Sequence, residues 1–547
     1  MGRDEVKEDS IRDAEYSDTE VGVPEDTPAP ENALKRDLKN RHMQMIAIGG
    51  SIGAGLFVGS GGALATGGPA SLIIDFTIIG CMMLFTVHAL GELAVMYPIN
   101  GAFYSYSVRF IDPDWGFAMG ISYALMTLIV LPFELIASSI TLQFWADSDK
   151  LPHQAIFIAI FLVIVVIINL FGVRGYGEVE FILGSVKVIA ILGFCILAVV
   201  INCGGAPTDN RGYIGARYWS DPGAFRNGFK GFCSVFVTAS TAFGGTELVG
   251  LAAAETENPR KTLPKATKQV IWRITLFYIV SLFLLGLVVP SNDPILAFAS
   301  GAHSKYSPFV QAIRLASIPV LPSIFNAVIL LTVISVANTC SYGSTRTLQA
   351  LAQNGHVPKI FEKIDSRGRP IYALGLALVF GFLGFVTLAP NGDGAFYWIL
   401  ALSGLANFFS WGSINYAHIQ FRRAWKMQGR SIDELPFKAG FGVWGSWAGL
   451  GMNVLCLIAQ LYVAIFPFAG KSSAKGFLQS YLGAPFVIIC FLGHKAYTHN
   501  WKFGVDLMDV DLDAGRRETG NLAEIIRKEN EEKANWSRMR KTYDWCC

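Results

Sequence analysis

Apolar residues run along this chain for roughly 20 positions at a time, the length that spans about 30 Å of hydrocarbon as a helix. Polar residues fall in short clusters between the runs. The pattern predicts twelve spans, at 43–65, 70–96, 116–143, 156–173, 180–202, 231–254, 273–290, 323–350, 371–389, 396–420, 443–467 and 480–498. All are expected to be helices, because hydrocarbon offers backbone groups no partner outside their own helix. The short alternating segments of a membrane barrel are not part of the pattern. The expected fold is therefore all-α and integral to a membrane, with twelve transmembrane helices. Residues 1–42 are polar, with Pro24, Pro28, Pro30 and many acids, and read as a disordered cytosolic tail. Residues 499–547 read as a cytosolic C-terminal tail. The first apolar run is expected to act as an uncleaved signal anchor.

Two runs are interrupted at matching places. Span one holds Gly49-Gly50-Ser51-Ile52-Gly53-Ala54-Gly55, and span six holds Thr241-Ala242-Phe243-Gly244-Gly245-Thr246-Glu247. If 43–202 and 231–420 are two repeats of inverted topology, each interruption lies in the first helix of its repeat, and 443–498 adds two further helices. Paired discontinuous helices point to a transporter with its site near the membrane midplane. Glycine lets the backbone leave helical dihedrals and lets a ligand approach the main chain. The same runs also suit close helix–helix packing.

A zwitterionic amino acid brings two charged ends out of water, and a broken helix serves both. Free N–H groups at the positive end of one half face the carboxylate, and free carbonyls of the other half face the ammonium. Span one has the small residues for the first role and span six for the second. Ionisable side chains inside spans are costly and mark function by default. Asp75, His88, Glu92, Arg273 and Arg346 lie nearer span ends and carry less weight. Glu134 shares a helical face with Tyr123, Thr127, Ser138 and Thr141. It reads either as a functional group or as a structural carboxylate. Glu247, at the break, reads as a proton carrier or as a staple between helices. Lys187 lies about two turns into span five and either faces inward or snorkels to the interface. The face Ser335, Asn338, Tyr342 and Thr345 in span eight lines the path or bonds between helices.

Composition narrows the class. Of 547 residues, 52% are hydrophobic and 16% charged, with a net charge of +2. The charges crowd into the tails and a few loops, which excludes a soluble multidomain protein. No basic stripe calls for nucleic acid. No metal-ligand spacing, nucleotide loop or catalytic triad stands out, so neither cofactor nor metal nor enzymatic activity is expected. The Cys residues mostly lie in apolar runs, as Cys81, Cys195 and Cys340 do, and read as packing. Cys546 and Cys547 match no CaaX box and leave lipidation open. Lysines and arginines place the termini inside: Lys35, Arg36, Lys39 and Arg41 before span one, Arg260, Lys261, Lys265 and Lys268 after span six, Arg422, Arg423 and Lys426 after span ten. The loop after span five, with Arg211, Arg217, Arg226 and Lys230, is the exception. Lys7 in the N-terminal tail is a candidate for ubiquitination, which makes ubiquitin-ligase machinery a candidate partner of the tails. Asn535-Trp536-Ser537 fits a glycosylation sequon but falls in the cytosolic tail, where it goes unused.

Three motifs resemble the yeast amino acid transporter family of the amino acid–polyamine–organocation superfamily. The first is Leu38-Lys39-Asn40-Arg41-His42-Met43 running into Gly50-Ser51-Ile52-Gly53-Ala54-Gly55-Leu56-Phe57. The second is Gly245-Thr246-Glu247-Leu248-Val249-Gly250-Leu251, continuing to Glu255, Asn258-Pro259-Arg260-Lys261 and Pro264. The third is Gly91-Glu92-Leu93-Ala94 with Tyr97-Pro98 and Arg109-Phe110. The likeness covers about 35–515 and is strongest to the general amino acid permeases of filamentous fungi. It implies a LeuT-like 5+5 inverted repeat plus two helices, and proton-coupled amino acid uptake at the plasma membrane. It also implies that Ser51, Ile52, Gly53, Ala54 and Gly55 cradle the substrate carboxylate. Thr241, Phe243 and Gly244 would accept the ammonium and close over the ligand. By the same resemblance Glu134 serves substrate recognition, Glu247 proton sensing and gating, and Lys187 stands where sodium-coupled relatives bind a cation. Thr241-Ala242 and Ile121-Ser122 depart from the Phe-Ser and Trp-Asn pairs more usual in the family, which bears on substrate range. A non-transporting amino acid sensor on the same scaffold is the rival reading.

Overall fold

A computed structural model describes residues 34–50, 52–145, 153–297, 307–389, 392–467, 470–516 and 537. Lys7, Cys546 and Cys547 lie outside them, as do Asn535 and Trp536 of the sequon. The chain opens with α1 (Asn40–Gly49), breaks, and passes through a π-helical turn (Gly55–Gly59) into α2 (Ser60–Met96). Then come α3 (Ala102–Phe110), α4 (Pro113–Leu142), α5 (Gln154–Leu170) and α6 (Gly172–Asn202). A second break separates α7 (Gly228–Phe243) from the short α8 (Leu248–Leu251). Next is α9 (Pro259–Arg273), joined by a π-helical turn to α10 (Ser281–Val288). The short α11 (Pro294–Ala297) and α12 (Pro308–Leu315) precede α13 (Leu321–Gln353), α14 (Ile371–Gly381), α15 (Gly392–Ser403) and α16 (Ala406–Met427). The chain closes with α17 (Gly442–Ile465), α18 (Ala474–Tyr481) and α19 (Gly483–Thr498). Among the described residues there is no strand, only an isolated bridge between Leu38 and Thr256.

Eight helical segments among the described residues are long and apolar enough to cross a membrane, or nine if the bent pair α18–α19 is one span. α5 is apolar but shorter. Several boundaries differ from the hydropathy reading for local reasons. The gap expected between 65 and 70 is a kink in one helical run, at Gly68 with φ +83°, followed by Pro69. Only glycine adopts that dihedral without strain, and proline has no N–H to give. A neighbouring loop takes up the freed groups: Ala70 N donates to Ala224 O at 2.9 Å, and Arg226 N to Gly67 O at 2.9 Å. α6 begins at Gly172, eight residues before the expected 180, because its first turns carry Arg174 and Glu178 and look like loop by hydropathy. α4 starts at Pro113, three residues before the expected 116, from a cap: Asp112 Oδ1 accepts from Asp114 N at 2.9 Å, and Pro113 fills the first turn.

α6 shows how the bundle sorts its faces. Ile182, Ile189 and Ile196 are 60%, 70% and 70% exposed and form an outward apolar stripe. Glu180, Lys187, Phe194 and Ile201, offset two positions from it, are buried against the bundle. Two stripes of period seven on one helix are the signature of a lipid face and an inner face. Some inner polar groups pair across helices. Glu92 of α2 holds α16 through Arg422 Nε at 2.6 Å, Arg422 Nη2 at 2.8 Å and His418 Nε2 at 3.0 Å. The basic residues of the loop after α6 also find structural work. Arg211 pairs with Asp209 at 2.7 Å and donates to Val288 O, at the end of α10, at 2.9 Å, while Arg226 donates to Ser291 O.

The stretch 499–516 folds back over one end of the bundle. Tyr97 OH donates to Leu512 O at 2.8 Å, and Gln428 Nε2 to Val510 O at 2.8 Å. Arg430 and Arg516 both pair with Asp513, and their hydrogen bonds hold its carboxyl well below the usual carboxylate range. Beneath this strap Lys495 of α19 is buried between Asp112 and Asp114, 3.0 Å from each.

Candidate functional site at two meeting helix breaks

α1 stops at a pair of glycines, and its last carbonyls face the bundle interior. Two buried cations cap them. Lys187 Nζ donates to Gly49 O at 2.9 Å, and Arg273 Nη1 donates to Ala47 O. Each cation is 1% exposed. A helix C-terminus carries partial negative charge, so cations there are favoured by up to about 2 kcal/mol when partly buried. Lys187 therefore faces inward and does not snorkel.

Beyond the break the chain runs against α7. A Cβ added at Gly55 would lie 2.6 Å from Ala242 Cα, so the two main chains touch. Gly245 has φ +92°, and a Cβ there would meet Gly50 O at 3.3 Å. The two breaks thus meet, and glycine is what lets them. α7 ends as Gly244 N donates to Thr241 O at 3.3 Å. Phe243 O takes Thr246 N at 3.3 Å and Thr246 Oγ1 at 2.6 Å, and Ala242 O takes Tyr278 OH at 2.9 Å. Arg273 Nη2 donates to Thr246 Oγ1 at 2.7 Å, so one guanidinium ties the end of α1 to the break after α7. The Phe243 ring stacks on Tyr278 at 4.1 Å. Thr241 is exposed although Ser240, Ala242 and Phe243 around it are buried.

Ile52, Gly53 and Ala54 are buried and Gly55 half-buried at this junction; Phe243 is buried and Gly244 half-buried. Ser51 lies outside the described residues. Glu247 is fully buried with three donors from three directions. Tyr123 OH reaches Oε1 at 2.9 Å, Gly245 N reaches Oε1 at 3.1 Å, and Trp411 Nε1 reaches Oε2 at 3.0 Å. It joins α4 and α16 to the break. Glu134 is buried beside the Lys187 charge, and its Oε2 has no hydrogen-bond partner. Thr127, Ser138 and Thr141, on the same face, bond back to carbonyls of their own helix.

On the face of α13, Ser335, Asn338 and Tyr342 bond between helices, whereas Thr345 bonds to Ser341 O and Tyr342 O of its own helix. Ser335 Oγ accepts from Lys187 Nζ at 2.8 Å and lies 2.9 Å from both Glu180 carboxylate oxygens. Asn338 Nδ2 approaches Glu180 Oε1 at 3.5 Å, and Asn338 Oδ1 accepts from Asn169 Nδ2 at 2.9 Å. Tyr342 OH donates to Glu255 at 2.5 Å, and Arg346 makes a two-pronged pair with the same carboxylate at 3.1 and 3.2 Å. Glu180 is absent from the residues picked out by sequence. The available signal was its spacing of seven from Lys187, two helical turns along one face.

Gly55 gives a direct check on the meeting of the breaks. Gly55→Ala places a methyl against main chain that cannot move aside, and overpacking of that kind costs about 1–3 kcal/mol. The variant is expected to reach the membrane, lose most solute uptake and melt at lower temperature in detergent. Unchanged uptake and melting would show that the contact is not tight.

Apolar helices broken in two places, with the breaks in main-chain contact and cations at a helix end, define a multi-pass membrane protein of the transporter kind. The chain belongs to the amino acid permease family, whose sequence profile matches residues 42–505. It is 50% identical to the general amino-acid permease GAP1 of Saccharomyces cerevisiae, covering 94% of this chain and 86% of that protein. It is 51% identical to the general amino-acid permease GAP2 of Candida albicans, covering 94% and 87%. An uncharacterized amino-acid permease of Schizosaccharomyces pombe is 55% identical, covering 89% and 82%. This membership supports amino acid transport, and points away from an enzyme.

Proposed function

We propose that the protein imports amino acids across the plasma membrane by proton symport, through alternating access. The observation that carries this reading is the meeting of the two glycine-bearing breaks, Gly55 against Ala242, with Lys187 at the buried C-terminal end of α1. The chain crosses twelve times with both termini cytosolic, arranged as two inverted five-helix repeats plus two helices. Main-chain N–H groups of 51–55 receive the substrate carboxylate. Thr241, Phe243 and Gly244 receive the ammonium and close over the ligand, and Glu134 reads the side-chain end. Lys187 takes the coupling proton, and Glu247 tunes closure of the break. Substrate and proton enter from outside, the half-helices close over them, and the bundle rocks to release both inside. A neutral amino acid moving with one proton carries one net charge, worth about 2.3 kcal/mol per 100 mV of membrane potential.

The test is labelled uptake in fungal cells stripped of their own permeases, with each standard amino acid as competitor. Accumulation above the external level, abolished by a protonophore, is expected. No accumulation of any amino acid sinks the transport reading, and accumulation indifferent to the protonophore sinks the proton coupling.

A further inference from the structure

Beyond Lys187, a buried polar chain continues to one end of the bundle. Lys187 Nζ meets Ser335 Oγ at 2.8 Å, and Ser335 meets both oxygens of Glu180 at 2.9 Å. Asn338 and Asn169 extend the line from Glu180. Asn169 lines a cavity of about 10 Å³ together with Gly172, Tyr176, Thr345, Arg346 and Arg369. That is room for about one water molecule. The cavity sits where α5 meets α6 and α14 begins, the end assigned above to the cytosol. Tyr176 also stands one helical turn from Glu180 on α6.

We propose that Glu180 is the acceptor that takes the coupling proton from Lys187 and passes it toward the cytosolic side. The inference rests on the proton-symport reading. A proton leaves the Lys187 ammonium for Ser335 Oγ as the Ser335 hydroxyl gives its own proton to the Glu180 carboxylate. Lysine becomes the neutral amine and glutamate the carboxylic acid. Glu180 then yields that proton to cytosolic water as hydronium, which regenerates the carboxylate. Charged or titratable groups facing Glu180 are Lys187 and Tyr176 on α6 and Cys340 on α13. Asn169 on α5 adds no charge. Burial of Glu180 at 0% exposure and the shared Ser335 hydroxyl make it a positioned group and not a surface acid.

Glu180→Gln keeps the shape and the acceptor oxygen of the side chain but cannot take a proton. In proteoliposomes under an imposed pH gradient it is expected to lower the initial rate of net amino acid uptake about 100-fold, the lower end of what a positioned proton-transfer group contributes. Exchange of labelled for unlabelled amino acid, which needs no net proton release, is expected to persist. Glu180→Asp is expected to restore part of that rate with a shifted pH profile. A wild-type rate of net uptake matched by Glu180→Gln overturns the proposal, as does loss of exchange together with net uptake, which marks a structural role. Wild type that exchanges but never accumulates under the gradient overturns the symport reading itself, a result distinct from the first.

Discussion

Lys187→Met is expected to abolish uphill accumulation of amino acids while the protein still reaches the membrane. Methionine fills similar space and keeps the apolar stem, but it cannot hold a charge. The ammonium it replaces is 1% exposed and bonded to Gly49 O and Ser335 Oγ. A cation in that place costs desolvation unless it is used, which is why an intramembrane lysine is read as functional. The size of the effect follows from the driving force. One proton per neutral amino acid at 100 mV supplies about 2.3 kcal/mol. At 1.4 kcal/mol per factor of ten, this sustains about 50-fold accumulation. The variant should equilibrate solute and go no further. Uptake into proteoliposomes under a fixed potential and pH gradient measures the ratio. Wild-type accumulation in the variant would remove Lys187 from the coupling path.

How much of this was legible in the sequence depends on the distance over which each feature is built. The breaks were visible because glycine runs in hydrocarbon-length helices are local and physically pointed: 49–55 and 241–247 lie where the backbone leaves the helix. Lys187 was visible because a charge inside an apolar run needs a reason. Glu180, two turns away, was lost when hydropathy trimmed the polar first turns of α6 and so placed it at a span end. The partners of Glu247 could not be read from one sequence. Tyr123 comes from 124 residues before it and Trp411 from 164 after. Arg273 and Arg346 were set aside as near span ends, yet both are buried inside the bundle, because π-helical and long α-helical continuations carry these segments past their apolar cores. The basic loop after α6 broke the inside-positive pattern, and its arginines turn out to cap carbonyls such as those of Val288 and Ser291. Charge counting treats each arginine as free, which is why the loop looked anomalous.

The pair Glu255–Arg346 leads to the other large expectation. Glu255 closes the segment after the second break, and Arg346 sits on α13, 91 residues later. The carboxylate is fully buried, accepts the guanidinium at two points, and also accepts Tyr342 OH. Tyr342 in turn stacks flat on Tyr176 of α6 at 4.2 Å, and the guanidinium lies 4.3 Å above the Tyr342 ring. Three segments are thus held at the end of the bundle that carries the small cavity. Arg346→Met leaves Glu255 buried without a countercharge, and removing one partner of such a pair costs about 3–5 kcal/mol. The single variant is expected to melt far below wild type in detergent and to accumulate little solute. The double variant Glu255→Gln with Arg346→Met removes both charges, and replacing a buried pair by uncharged groups is often close to neutral. It should therefore recover most of the thermal stability. Recovery of melting without recovery of uptake would separate the two roles, since stability needs only that no charge be stranded, whereas opening and closing need a contact that breaks and reforms. A single variant as stable as wild type, or a double variant less stable than the single, would mean that the pair does not hold this end of the bundle together.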